Sequence, residues 1–105
     1  MQLLEWEMIT VLSRFVVTNG MDAEVRHAFI NRPRMVENAP GFVRLEVLSP
    51  AEDPSEFWLL TYWESEQHFR DWHKNHLHDS HKMIPKGLRL DARGTQVQVL
   101  NHIAS

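Results

Sequence analysis

The run from Phe57 to Trp63, FWLLTYW, constrains this chain more than any other, because it sets large apolar groups at both odd and even positions. A strand sends alternate residues to opposite faces of its sheet, so a strand of this composition has to be covered on both faces. The chain has 105 residues, one domain's worth with one modest core. A sheet backed by helices on one side leaves half of this run wet. In so short a chain the simplest second cover is another copy of the same chain, which makes the sheet's outer face a dimer contact.

Periodicity supplies the elements around that strand. From Trp6 to Val17 the pattern alternates, with Ile9, Val11, Phe15 and Val17 on one face and Trp6, Met8, Leu12 and Val16 on the other. Ser13 shares the face of Val11 and Phe15. After the turn TNG, Asp22 is placed to cap a helix from about Ala23 to Val36 that aligns Val25 and Phe29 with Arg32 and Val36. Pro33 inside that helix should bend or break it, and NAPG stops it. FVRLEVLS alternates Val43, Leu45 and Val47 with Arg44 and Glu46, and the turn-rich PAEDPSE joins it to FWLLTYW as a hairpin. Ser65 is the expected N-cap of a second helix carrying His68, Phe69, Trp72 and His76, and Glu66 in its first turn suits the helix dipole. The stretch TQVQVLNHI reads as a last strand, with Val97 and Val99 alternating with Gln96, Gln98 and Leu100. The order β-α-β-β-α-β predicts an α+β, ferredoxin-like domain with an antiparallel sheet over residues 1–105.

Composition excludes several functions. A net charge of −3 offers no basic field for nucleic acid. Cysteine is absent, which removes disulfides, thiolate metal sites and a cysteine nucleophile. The opening MQLLEWEMITVLSRFVV holds Glu5, Glu7 and Arg14 among its apolar residues without a basic n-region, and no apolar run reaches the ~18 residues of a membrane span. A cytoplasmic protein with no membrane partner is therefore expected. No Gly-x-Gly-x-x-Gly, phosphate loop or Gly-x-Ser-x-Gly occurs.

Histidines concentrate in DWHKNHLHDSHK, Asp71 to Lys82, which holds His73, His76, His78 and His81. Rings three apart on a helix share a face, the geometric minimum for a zinc pair. Only Asp71 and Asp79 stand nearby to complete a set, so zinc falls short on ligand count and most of these imidazoles read as solvated. What remains is an aromatic and histidine group suited to a large, flat, apolar ligand.

MVENAPGF (Met35 to Phe42), LLTYWESEQHFRDW (Leu59 to Trp72) and His81, nine residues beyond Trp72, together resemble the IsdG-type heme-degrading monooxygenases of the antibiotic biosynthesis monooxygenase superfamily. The resemblance runs from about Val11 to His81. The W-E-S-x-x-x-F-x-x-W element is common across the superfamily and speaks for fold, whereas Trp72 with a histidine nine positions on is the pattern of the heme-degrading branch. The resemblance implies a homodimeric α+β barrel binding one heme per subunit between helices and sheet. It makes His81 the proximal iron ligand and Trp72 the residue that presses on the macrocycle, and it brings Phe29 and Arg32 near the porphyrin. Arg32 then has two readings, a partner for a propionate or a solvated helix charge. The family's distal asparagine is Ser13 here, a shorter side chain with one donor in place of two.

Heme is then both cofactor and substrate, O₂ the oxidant, and a separate reductase the source of electrons, since no flavin or nicotinamide motif is visible. Two other functions fit the same pocket: a cofactor-independent monooxygenase of an aromatic or quinol substrate, and a heme-binding protein that lost turnover with its asparagine. For Ser13 the simplest alternative is a core hydroxyl bonded to backbone. For Trp72 it is ordinary packing of an amphipathic helix.

Overall fold

The computed structural model describes residues 7–32, 36–76 and 85–104. Strand β1 (Ile9–Val16) leads to helix α1 (Asp22–Ile30) and a short 3-10 turn at Val36–Asn38, then to the hairpin of β2 (Phe42–Leu48) and β3 (Glu56–Trp63). Helix α2 (Glu66–His76) and strand β4 (Gln96–Asn101) complete the order, which is ferredoxin-like as expected. The sheet runs β2-β3-β1-β4 with every neighbour antiparallel, so FWLLTYW lies inside the sheet and not at its edge. No helix among the described residues is long and apolar enough to cross a membrane.

Three local details differ from the sequence expectation. Asp22 lies within α1, and Met21 occupies the cap position without a side-chain bond. The helix stops at Ile30 and not at Val36, with Asn31 as its C-cap. Proline disfavours helical backbone at the residue before it and cannot donate its own N–H, so a chain with Pro33 ahead terminates early. Pro33 itself, like Trp6, falls outside the described residues. The third difference is a register shift between Phe42 and Arg44, which leaves Val43 unpaired and 45% exposed. Ser65 does cap α2: its hydroxyl accepts the His68 N–H at 3.2 Å.

The helices cover one face of the sheet, and the buried apolar groups there fall into two separate clusters. Under α2, Ile9, Val11, Val36 and Trp63 are buried, with Leu45, Phe69 and Trp72 packed against them. Under α1, Val17, Val25 and Phe57 are buried, with Phe15, Phe29 and Val47 around them. Trp63 is 0% exposed, and its indole N–H donates to the Thr61 hydroxyl at 2.9 Å, so the one polar atom of the deepest side chain is satisfied.

Gly41 fixes how α2 meets the hairpin. Its φ is +79°, and a Cβ there would overlap the His68 ring. Gly20 has a similar φ of +76° and open space around it. Gly20→Ala should therefore cost only the left-handed penalty of about 1–2 kcal/mol. Gly41→Ala should cost roughly 1 kcal/mol or more beyond that, as the ring is displaced. Urea unfolding of the two variants measures the difference.

Candidate functional site

The gap between the two clusters is the candidate site. Strand register sets Val47, Leu59, Ser13 and Val97 side by side across all four strands on the helix-facing side. Ser13 and Leu59 belong to neither cluster, although Val11 on one side belongs to the first and Phe15 on the other to the second. Four strands at about 4.8 Å spacing give this row a width of ~14 Å, enough for a flat polycycle. Val97, at the β4 end, is 65% exposed, so the row is uncovered there by any described residue.

Ser13 is the polar member of β1's helix-facing row. Its hydroxyl makes no hydrogen bond to another described residue, so the backbone-bonded core hydroxyl does not describe it. A half-buried donor without a partner among the described residues is available to a ligand or a water. Trp72 stands at the wall under α2, half-buried, with its ring 5.6 Å from that of Trp63. The first cluster thus holds the Trp72 ring, and packing contributes to its position. Beside it His73 is exposed and its ring lies 5.4 Å from that of Phe69. His78 and His81 fall outside the described residues, as does the side chain of His76.

At the β2 end the row opens into a cavity of about 370 Å³ between α1 and the hairpin. Its apolar lining includes Phe29, Leu45, Val47 and Phe57, and its charged lining is Arg26 and Arg32. The structure therefore brings Phe29 and Arg32 together, while neither Ser13 nor Trp72 lines that cavity. The rings of Phe15, Phe29 and Phe57 lie 5.5–6.2 Å apart and form the wall nearest Ser13's neighbour Phe15. Arg32 is ion-paired with Glu37. Arg26, which sequence reading passed over, has its guanidinium 5.8 Å from the Phe57 ring centre and donates a long 3.4 Å bond to the Pro54 carbonyl. Its spacing of three residues from Phe29 was the available signal, since i and i+3 share a helix face.

A four-stranded antiparallel sheet with two helices on one face defines a ferredoxin-like class of small α+β proteins, and comparison with known proteins narrows it. The antibiotic biosynthesis monooxygenase family matches residues 8–82, and the chain belongs to that family. It is 30% identical over 64 residues to the mycobilin-producing heme oxygenase of Mycobacterium tuberculosis, a match spanning 61% of this chain and 61% of that protein. Among solved structures, it resembles the heme degrader MhuD from Mycobacterium tuberculosis, with two hemes bound in its active site, at a TM-score of 0.72 and 21% identity, over 93% of this chain and 97% of that one. It resembles SnoaB, a cofactor-independent oxygenase from Streptomyces nogalater, at a TM-score of 0.74 and 19% identity, over 94% and 96%. At such identities the two structures establish the fold and do not choose between their chemistries.

The opposite face of the sheet carries Leu12, Trp58, Leu60 and Tyr62, all half-buried, between two polar groups. At one end Arg14 donates to Glu56 at 3.0 and 3.2 Å, and the Trp58 indole N–H donates to the same carboxylate at 2.6 Å. At the other, the Thr10 hydroxyl lies 2.6 Å from the His102 ring and the Arg44 guanidinium 4.1 Å from the Tyr62 ring centre. The hydrogen bonds from Arg14 and then Trp58 hold the Glu56 carboxyl below its ordinary pKa. A carboxyl whose pKa falls on folding contributes stability above its unfolded pKa of about 4.3 and loses it as pH drops through the folded value. The stability difference between the parent and Glu56→Gln should therefore be full above pH ~5 and vanish in stronger acid. Urea unfolding across a pH series reads it.

Proposed function

We propose that this chain is a heme-degrading monooxygenase that works as a homodimer, with one heme in the slot of each subunit. The observation that carries the reading is the Ser13 hydroxyl, without a hydrogen bond to any described residue, in the sheet row between the cluster that holds Trp72 and the cluster that holds Phe15, Phe29 and Phe57. These residues suit the group: aromatic side chains for a macrocycle, a cation at Arg26 on the cavity rim for its carboxylates, where Arg32 is held by Glu37, and a hydroxyl at Ser13 for a polar ligand at its centre. The 30% identity to a heme oxygenase supports the same reading.

Heme, when bound, supplies both the dioxygen chemistry and the ring that is cleaved, with electrons from an external reductase. The chain's residues bind, orient and exclude water. His81, which lies outside the described residues, would hold the iron through a ring nitrogen. Trp72, backed by Trp63, would pack against the macrocycle and help orient it. Ser13 donates one hydrogen bond across the slot, directly or through a water, where the family's asparagine has two donors. Phe29 and Arg32 line the β2 end. Leu12, Trp58, Leu60 and Tyr62 pack on the same face of a second copy, whose charges Arg14 and Glu56 are already paired.

Hemin titration should give a Soret shift saturating at one equivalent per subunit, and reductant with air should then bleach it even with catalase present. A His81→Ala variant should bind hemin with an altered spectrum; an unchanged spectrum removes His81 as ligand. A shifted band that survives reductant and air marks a binding protein. With no shift at all, a cofactor-independent oxygenase of an aromatic or quinol takes precedence, with Ser13 bonding to the substrate hydroxyl. Light scattering should give twice the chain mass, and Leu60→Glu should return the monomer.

A further inference from the structure

We infer that Arg26, and not Arg32, receives the carboxylate of the bound ligand, so the cavity between α1 and β2 is the subsite for the ligand's anionic edge. Both guanidinium groups line this cavity, and their surroundings differ. Arg32 is 16% exposed and committed to Glu37 through both of its terminal nitrogens. An anion reaching Arg32 has to displace that carboxylate or sit beside it, and like charges at contact repel. Arg26 has no carboxylate partner among the described residues; its one hydrogen bond is the 3.4 Å contact with the Pro54 carbonyl, near the upper limit for such a bond.

Placement agrees with charge. Arg26 lies one helical turn before Phe29 on α1, with its guanidinium 5.8 Å from the centre of the Phe57 ring, which floors the cavity. An apolar plane lying along Phe29, Leu45 and Val47 therefore has its edge within reach of a guanidinium whose planar fork matches a carboxylate. The apolar remainder of the lining, Leu45 and Val47 included, offers no second cation on the hairpin side. The site is thus built for a flat apolar ligand with an acidic edge, which under the heme reading, on which this inference rests, is the propionate edge.

The test compares Arg26→Gln, Arg26→Lys and Arg32→Gln, each confirmed folded by its thermal melt, in Soret titrations with hemin and with hemin dimethyl ester. Arg26→Gln should weaken hemin binding about tenfold, as expected for loss of a charge-assisted hydrogen bond. Arg26→Lys should recover part of that loss, and Arg32→Gln should stay within about twofold of the parent. The ester should bind the parent and Arg26→Gln alike. Hemin binding unchanged in Arg26→Gln, or lost equally in Arg32→Gln, overturns the inference. If hemin gives no Soret shift with the parent, the heme reading falls. The anionic probe 1-anilinonaphthalene-8-sulfonate then decides separately: fluorescence enhancement that needs Arg26 sustains the anion subsite, and enhancement equal in parent and Arg26→Gln removes it.

Discussion

The Trp63 indole is the contact on which the site depends. It is fully buried, touches the rings of Phe42, Phe69 and Trp72, and has its N–H satisfied by Thr61 within the same strand. Because Phe69 and Trp72 are three apart on α2, one indole on β3 sets both the distance and the rotation of that helix over the sheet. A buried side chain of this size makes many contacts at once, and truncating such a tryptophan costs about 3–5 kcal/mol in typical cores. The position of the Trp72 ring is therefore set by the core beneath it, as the role proposed for it against a ligand requires.

The same packing explains why there is a slot at all. Two helices over four strands cannot cover every row of the sheet, and here the aromatic groups gather under each helix. The row between them holds Leu59 and Ser13, a medium side chain and a small one. A large residue at Ser13 would join the clusters and fill the gap. The Ser13 hydroxyl bonds to no described residue and is half-buried, so water or a ligand can reach it.

How much of this is legible in sequence depends on the range of the interaction. Alternation in β1 gives the inward row with Ser13 among Ile9, Val11 and Phe15, and the two-sided apolar run gives β3 its interior place, because both are properties of neighbouring residues. The end of α1 was misjudged by following apolar spacing to Val36 through Pro33, although proline outweighs periodicity. Val43 fitted an alternating pattern that a bulge then broke, and a pattern of period two cannot register an added residue. Arg26 was invisible for a different reason: an exposed arginine on a helix is unremarkable until Leu45 to Ser49, some twenty positions later, fold across from it. His81, on which the proposed ligation depends, lies outside the described residues, so its role stands on the sequence pattern alone.

The two faces of the sheet also divide the work by electrostatics. On the outer face Arg14 is matched with Glu56 and Arg44 with Glu46, so a second copy in the proposed dimer would meet a surface that is apolar at its centre with its described arginines paired. At the cavity under α1 Arg32 is matched with Glu37, and Arg26 has no carboxylate partner among the described residues. Burying matched pairs against a copy of oneself avoids like-charge repulsion, whereas one unmatched cation at the mouth of an apolar cavity selects for an anion. Among the described arginines of that cavity, the one without a carboxylate partner is therefore the one placed to meet the proposed ligand's anionic edge.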